Sequence, residues 1–133
     1  MSTKTIHQSV VLRASPKEVY NTLIDSKKHA QFTSAKAKIS KKVGGSFSCY
    51  DNYITGVNLE LIDGKKIIQA WRCSTWPKDI YSIVIFKLSK AKQGKTKLEF
   101  TQIGVPTGDY KEKLSGWKTH YWKPLKAIFI KRR

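Results

Sequence analysis

The sequence predicts an α+β domain in which a curved antiparallel sheet wraps around one long helix at the C-terminus. The middle of the chain consists of consecutive predicted strands joined by tight turns, and strands connected in this way pair antiparallel. The last segment, over about 109–130, has the apolar spacing of an amphipathic helix, which supplies the cover that one face of the sheet needs. With 133 residues, the chain is predicted to fold as a single domain over residues 1–133.

The N-terminal part is predicted to hold one strand followed by two short helices. A run rich in Val, Ile and Leu predicts a strand over about 5–13. Ser15 suits the N-cap of the first helix, and Glu18 three positions later can return the second bond of a capping box. Ser26 can cap the second helix, which is expected to end near Phe32.

Further strands are predicted from alternating or continuous apolar runs that are separated by turn residues. In the run over 53–62, the alternation places Val57, Leu59 and Leu61 on one face and Asn58 on the other. These strands are expected over 36–41, 46–50, 53–62, 66–73, 82–88 and 96–102.

The predicted C-terminal helix carries one continuous apolar face. At about 100° per residue, the side chains that fall within one arc are Tyr110, Leu114, Trp117, Tyr121, Leu125 and Ile128. Pro124 lies inside this helix and has no backbone N–H to donate, so we expect a kink at about 120–123. Aromatic side chains in such a stripe either pack as an ordinary core or line a pocket for an apolar ligand, and the pattern permits both.

The charge of the chain is strongly positive. Its 26 Lys and Arg residues against nine Asp and Glu residues give a formal net charge of +17. Such a balance attracts polyanions, anionic lipid or an acidic protein face, although the same charge can serve only to keep a surface soluble. The basic residues form no single dense block. For stacking on bases, aromatic and basic residues would have to alternate on a strand, whereas the strand over 96–102 places Glu99 beside Lys97 and turns Phe100 to the apolar face. We therefore expect no specific nucleic-acid partner.

The sequence shows no signature of an enzyme or of a metal site. His7, His29 and His120 lie in separate predicted elements, without the spacing of metal ligands. No pattern pairs a nucleophile with a base. Cys49 and Cys73 stand alone and are expected to be reduced and buried. The prediction is a non-enzymatic protein without a metal or cofactor.

The sequence also bears on location. No apolar run reaches the length of about 18 residues that would span a membrane, so no membrane span is expected. The first residues lack the apolar core of a secretory signal peptide, and we expect a cytoplasmic protein.

Four stretches carry a resemblance that covers nearly the whole chain in one order. They are Ser15-Pro16-Lys17-Glu18-Val19-Tyr20; Gly44-Gly45-Ser46-Phe47 with Ile54-Thr55-Gly56; Trp71-Arg72 with Trp76-Pro77; and Gly104-Val105-Pro106 with Gly116-Trp117, Tyr121-Trp122 and Pro124-Leu125-Lys126. In these stretches the sequence resembles the C-terminal domain of the activator of the 90 kDa heat-shock protein ATPase. That family lies within the START/birch-pollen-allergen-like superfamily.

The resemblance implies a helix-grip fold, with about seven antiparallel strands around the C-terminal helix and two short helices after the first strand. It also implies a cavity between sheet and helix, which in the superfamily holds lipids, sterols, polyketides or other apolar molecules. On the helix side the expected lining residues are Leu114, Trp117, Tyr121, Leu125 and Ile128. On the sheet side they are Val57, Leu59, Leu61, Trp71, Phe86, Leu98 and Phe100.

Three hypotheses for the function follow. The leading one is a non-enzymatic binding module that holds a small apolar ligand in the cavity, which requires open space beneath Trp117 and Tyr121. The alternative is a module that docks on a heat-shock chaperone through its basic surface and modulates its ATPase. The eukaryotic co-chaperone also has a separate N-terminal domain that carries much of the chaperone binding, so the resemblance of residues 1–133 is not expected to imply activation of the ATPase in full. The third is an enzyme, for which His120 and Arg72 are the nearest candidates.

Overall fold

Seven antiparallel strands form one curved sheet, and a helical segment at the C-terminus lies against its inner face. The computed structural model describes residues 2–131. The strand order is β1-β7-β6-β5-β4-β3-β2. The strands are β1 (Thr3–Leu12), β2 (Ala37–Ile39), β3 (Ser46–Cys49), β4 (Ile54–Ile62), β5 (Lys66–Cys73), β6 (Ser82–Lys90) and β7 (Thr96–Pro106). The helices are α1 (Pro16–Ile24), α2 (Ser26–Thr33), α3 (Tyr110–Trp117) and α4 (Lys123–Lys131), with a π-helical turn (Lys118–Trp122) between the last two.

Local side-chain bonds begin the two short helices. Ser15 forms the predicted capping box, because its hydroxyl accepts from the backbone N–H of Glu18 at 3.2 Å and its own N–H donates to the Glu18 carboxylate at 3.2 Å. The cap of α2 is Asp25, and the prediction of Ser26 is wrong. The Ser26 hydroxyl instead accepts from the backbone N–H of Ile39 at 2.8 Å, which ties α2 to β2.

A β-bulge in β4 changes which side chains face the core. The register shifts between Asn58 and Glu60, so Leu59 is an extra residue on this strand. Asn58 is buried on the inner face, where its side-chain oxygen accepts from Gln69 at 3.1 Å, whereas Leu59 is 46% exposed. The expected inward facing of Val57 and Leu59 is therefore wrong, and only Leu61 packs against the core. The alternation of apolar and polar residues in the sequence does not reveal the extra residue of a bulge.

Pro124 shapes the C-terminal helix as its chemistry predicts. A proline cannot donate to the carbonyl four residues earlier, which belongs to His120. The Tyr50 hydroxyl donates to that carbonyl at 2.8 Å. The irregularity expected at about 120–123 appears as the π-helical turn, which ends just before Lys123. The Tyr50 side chain, which lies between β3 and β4, thus supplies a donor for the His120 carbonyl, to which Pro124 cannot donate.

Candidate functional site

Two buried tryptophans fix the C-terminal helix to the sheet. The indole N–H of Trp117 donates to the amide oxygen of Gln102 on β7 at 2.7 Å. The indole N–H of Trp122 donates to the amide oxygen of Gln8 on β1 at 2.6 Å. The amide nitrogen of Gln102 in turn donates to the hydroxyl of Ser82 at 3.0 Å. Each buried indole therefore has the partner that it needs, because an unpaired buried donor costs about 1–3 kcal/mol.

Aromatic rings fill the space between sheet and helix. The ring centroids of Phe100 and Trp117 are 4.2 Å apart, and Trp117 stacks on Trp122 with an angle of 20° between the ring planes. Phe86 contacts Phe100 with centroids 5.4 Å apart. A small void beside Tyr121 has a volume of about 10 Å³. A void of this size holds about one water molecule.

An open groove lies beside the π-helical turn. Its volume is about 400 Å³. It opens to solvent at Thr119 and His120, which are exposed. The aromatic and aliphatic side chains along it are Tyr50, Tyr53, Ile54, Trp71, Trp117 and Tyr121. Concave sites with mainly apolar walls and volumes of about 300–1,000 Å³ are typical of small-molecule binding sites.

The residues predicted to line a cavity divide into three groups. Trp71, Trp117 and Tyr121 line the groove, and Trp71, Tyr121 and Phe86 also border the small void. Leu98, Phe100 and Leu125 are fully buried in the core, and Leu61, Leu114 and Ile128 are half-buried against it. Val57 and Leu59 lie on the outer face of the sheet. That any of these residues binds a ligand stays a prediction.

The charged groups at the groove form ion pairs. Lys113 is 7% exposed, and its ammonium lies 2.9 Å from the Asp109 carboxylate and 3.6 Å from that of Glu112. Asp109 also accepts from the indole N–H of Trp76 at 2.7 Å. Burial is the largest single effect and lowers the pKa of Lys113, but the hydrogen bond to Asp109 and the electrostatic interactions with Cys73, Asp109 and Tyr53 together outweigh it, so the pKa is raised. The lysine therefore stays charged and paired.

The structure brings together His29, Cys49 and Tyr121, of which only Tyr121 is among the site residues predicted from the sequence. One ring nitrogen of His29 shares a hydrogen bond of 2.9 Å with the Tyr121 hydroxyl and lies 3.7 Å from the Cys49 sulfur. Within residues 2–131, the other ring nitrogen of His29 has no hydrogen-bond partner. These residues are far apart in sequence, and no spacing pattern could have grouped them.

Burial keeps the His29, Cys49 and Tyr121 side chains in their uncharged forms. It lowers the pKa of His29 to about 4 and raises the pKa of Cys49 to about 12. It also raises the pKa of Tyr121 well above its usual value. A nucleophilic cysteine requires a thiolate, which this environment disfavours. The residues that the structure describes contain no group of three His, Cys, Asp or Glu side chains that could hold a metal ion.

The architecture defines the class to which the protein belongs. A seven-stranded antiparallel sheet around a C-terminal helix, with two short helices after the first strand, is the START-like helix-grip fold. The chain belongs to the family described as Activator of Hsp90 ATPase homolog 1-like protein, whose family model matches residues 13–129. None of the helices described here has the length and apolar character needed to cross a bilayer.

Sequence similarity to known proteins extends over nearly the whole chain. An activator of 90 kDa heat shock protein ATPase homolog from Dictyostelium discoideum is 31% identical over 128 residues, which are 96% of this chain and 33% of that protein. Homolog 1 of this activator from Homo sapiens is 27% identical over 115 residues, which are 86% of this chain and 34% of that protein. The chain thus spans about a third of the length of the curated relatives it matches.

Solved structures share the fold at low sequence identity. The crystal structure of an HSP90 activator from Plasmodium falciparum has a TM-score of 0.89 at 22% identity and covers 96% of both chains. The solution structure of the Aha1 dimer from Colwellia psychrerythraea has a TM-score of 0.80 at 17% identity and covers 96% of this chain and 97% of that one. At these identities the likeness shows the fold.

Replacing Trp117 tests the packed interior. Trp117→Ala should lower the free energy of unfolding by about 3–5 kcal/mol, because it leaves a large cavity in a packed core. Trp117→Phe keeps most of the packing but leaves the Gln102 oxygen unpaired, and should cost about 1–3 kcal/mol. Urea unfolding of both variants gives these values. A Trp117→Ala protein as stable as the wild type would contradict the packed arrangement.

His29 should make the protein less stable in acid. Its pKa is about 4 in the folded protein, against about 6.5 in an unfolded chain, so the unfolded state binds the proton first as pH falls. The stability from neutral His29 is complete above about pH 6.5 and is lost towards about pH 4, by roughly 3 kcal/mol in all. His29→Gln should flatten this loss. The measurement is urea unfolding of both proteins between pH 7.5 and pH 4, and parallel curves would contradict the assignment.

Proposed function

We propose that this chain is a non-enzymatic binding module that docks on the 90 kDa heat-shock chaperone and modulates its ATPase. The observation that carries the proposal is the aromatic packing of the interior, where the void bordered by Trp71, Phe86 and Tyr121 measures about 10 Å³ and has no room for an apolar ligand. Relatives that match most of this chain bear the name of activators of that ATPase. Docking needs no interior space.

The charge of the chain supports a docking mode that depends on electrostatics. A net charge of +17 speeds encounter with an acidic face of a partner. Two free, buried cysteines are typical of proteins in a reducing compartment. We therefore propose that the encounter takes place in the cytoplasm.

A module of this kind can change the ATPase through the conformation of the chaperone. The cluster of His29, Cys49 and Tyr121 is buried, with a protonated thiol and a weakly basic imidazole, and offers no group for acid–base chemistry on a partner. A bound module shifts a conformational equilibrium by its difference in affinity for the two states. Activation then follows if the module binds the ATP-hydrolysing conformation more tightly.

The proposal predicts binding that weakens with salt. The chain should bind purified Hsp90 in isothermal titration calorimetry at 50 mM salt and lose about tenfold or more in affinity at 300 mM, because ions screen the contacts between charged surfaces. ATPase turnover of Hsp90 should rise when the chain is added. Absence of binding at both salt concentrations would contradict the proposal, and salt-independent binding would contradict its electrostatic mode.

A second candidate function is the binding of a small apolar ligand in the groove. The observation that favours it is the open volume of about 400 Å³ along Tyr50, Tyr53, Trp71, Trp117 and Tyr121. Aromatic walls with few charged groups, which are paired with one another, suit a lipid-like or aromatic molecule. This function does not exclude docking, because the groove and the chaperone contact need not share a surface.

Native mass spectrometry tests the groove. Protein purified gently from its own host at physiological salt should carry a stoichiometric adduct, whose mass identifies the ligand class. Ser115→Trp places an indole in the groove and should abolish the adduct, whereas Lys118→Trp, on the exposed side of the same helical segment, should keep it. A bare wild-type chain, or an adduct retained by Ser115→Trp, would contradict this candidate.

A further inference from the structure

The outer face of the sheet carries an apolar band that the fold does not use. The strand register aligns Val57, Ala70, Ile83 and Ile103 in one row across β4, β5, β6 and β7. The next row adds two more isoleucines on β5 and β6. We call this set the outer band, and it comprises Val57, Ile68, Ala70, Ile83, Ile85 and Ile103.

The outer band contacts solvent and not the core. All its members are half-buried or exposed, and Ile103 is 46% exposed. Their neighbours along each strand, such as Gln69, Val84 and Gln102, point inward and are buried. The outer face of a one-sided antiparallel sheet is expected to be polar. A contiguous apolar patch on such a face is typical of a surface that another molecule covers.

Basic side chains flank the outer band on both sides. Along one side lie Lys66, Lys87 and Lys97, and on the other lies Arg72. Two acidic residues lie on the same side as the three lysines. Glu60 pairs with Lys66 at 2.9 Å, and Glu99 lies opposite Lys87. The flanks therefore keep a net positive charge, and an apolar centre with a charged rim is the usual anatomy of a protein interface.

Arg72 is held in place before any partner arrives. Its guanidinium donates to the carbonyl oxygens of Trp76 at 2.8 Å and Pro77 at 3.2 Å. It also lies 6.0 Å from the ring centroid of Tyr81, which is 48% exposed at the edge of the band. Tyrosine and arginine are enriched among the residues that dominate binding energy at interfaces. A fixed arginine loses little side-chain entropy on binding.

The charge decides which occupant fits the outer band. A second copy of this chain would bring a like-charged rim and a further +17 to the contact, which disfavours self-association. A partner protein with an apolar centre and Asp or Glu around it matches both the band and its flanks. We propose that the outer band is the surface that docks such an acidic partner, and, resting on the proposed function, that the partner is the Hsp90 chaperone.

Two pairs of variants test this surface against Hsp90 by calorimetry at 50 mM salt. Ile83→Thr with Ile103→Thr removes apolar contact but keeps β-branched residues in the strands, and should weaken binding about tenfold or more. Its control is Val11→Thr, which alters a side chain that is 49% exposed on the same face of β1, outside the band. Lys87→Glu should weaken binding about fivefold or more. Its control is Lys126→Glu on α4, which makes the same change in net charge far from the band.

The outcomes separate this proposal from the proposed function. Both controls should bind within about twofold of the wild type. If the wild type and the outer-band variants bind Hsp90 equally well, the outer band is not the docking surface. Chaperone docking itself would then stand. A wild type that does not bind Hsp90 would overturn both. Equal losses in Lys87→Glu and Lys126→Glu would mean that net charge alone drives association, which also overturns the band.

Folding and lipid controls complete the test. Thermal unfolding must show that each variant is folded, and if the double variant is not, Ile103→Thr alone serves, because that side chain is half-exposed at the end of its row. Vesicles of phosphatidylserine and phosphatidylcholine provide the membrane comparison. If the wild type binds these vesicles and the double variant Ile83→Thr with Ile103→Thr does not, while both bind Hsp90 equally well, the outer band is a lipid-binding surface. That result would overturn the proposal.

Discussion

Two buried indole N–H groups each require an acceptor, and the rest of the interior follows from where the sheet provides one. Gln102 and Gln8 stand on the neighbouring strands β7 and β1, and they accept from Trp117 and Trp122. These two bonds fix the rotation of the C-terminal helix about its axis. With that rotation set, both indoles point into the sheet, where Phe86, Phe100 and Tyr121 close the remaining space. A helix turned otherwise would bury two unpaired donors.

Because aromatic side chains fill the interior, the surfaces of the domain are where a binding function is expected. In this chain the space between sheet and helix holds aromatic rings, and open volume is found in the groove beside the π-helical turn. At this groove, Pro124 leaves the carbonyl of His120 without its helical partner, and the hydroxyl of Tyr50 donates to that carbonyl. The same helix therefore seals the core with one face and borders an accessible recess with another.

The sequence predicts the fold well because its elements are set locally. The capping box at Ser15 and the period of the last helix depend on residues close together in the chain. The bulge at Leu59 escapes prediction because it depends on the pairing of β4 with β5, and so does the buried pair of Asn58 and Gln69. The site is less predictable still, since an aromatic stripe such as that of Trp117 looks the same over a hollow or a filled interior.

The burial of both cysteines has a consequence for the lifetime of the protein under oxidising stress. Cys49 and Cys73 are free and enclosed, and the thiol of Cys49 keeps its proton because burial raises its pKa to about 12. An oxidant attacks thiolates that it can reach, so neither sulfur is a target while the sheet is intact. Chemical damage is therefore limited by how often the domain opens, and the tight aromatic core protects the thiols as well as the fold.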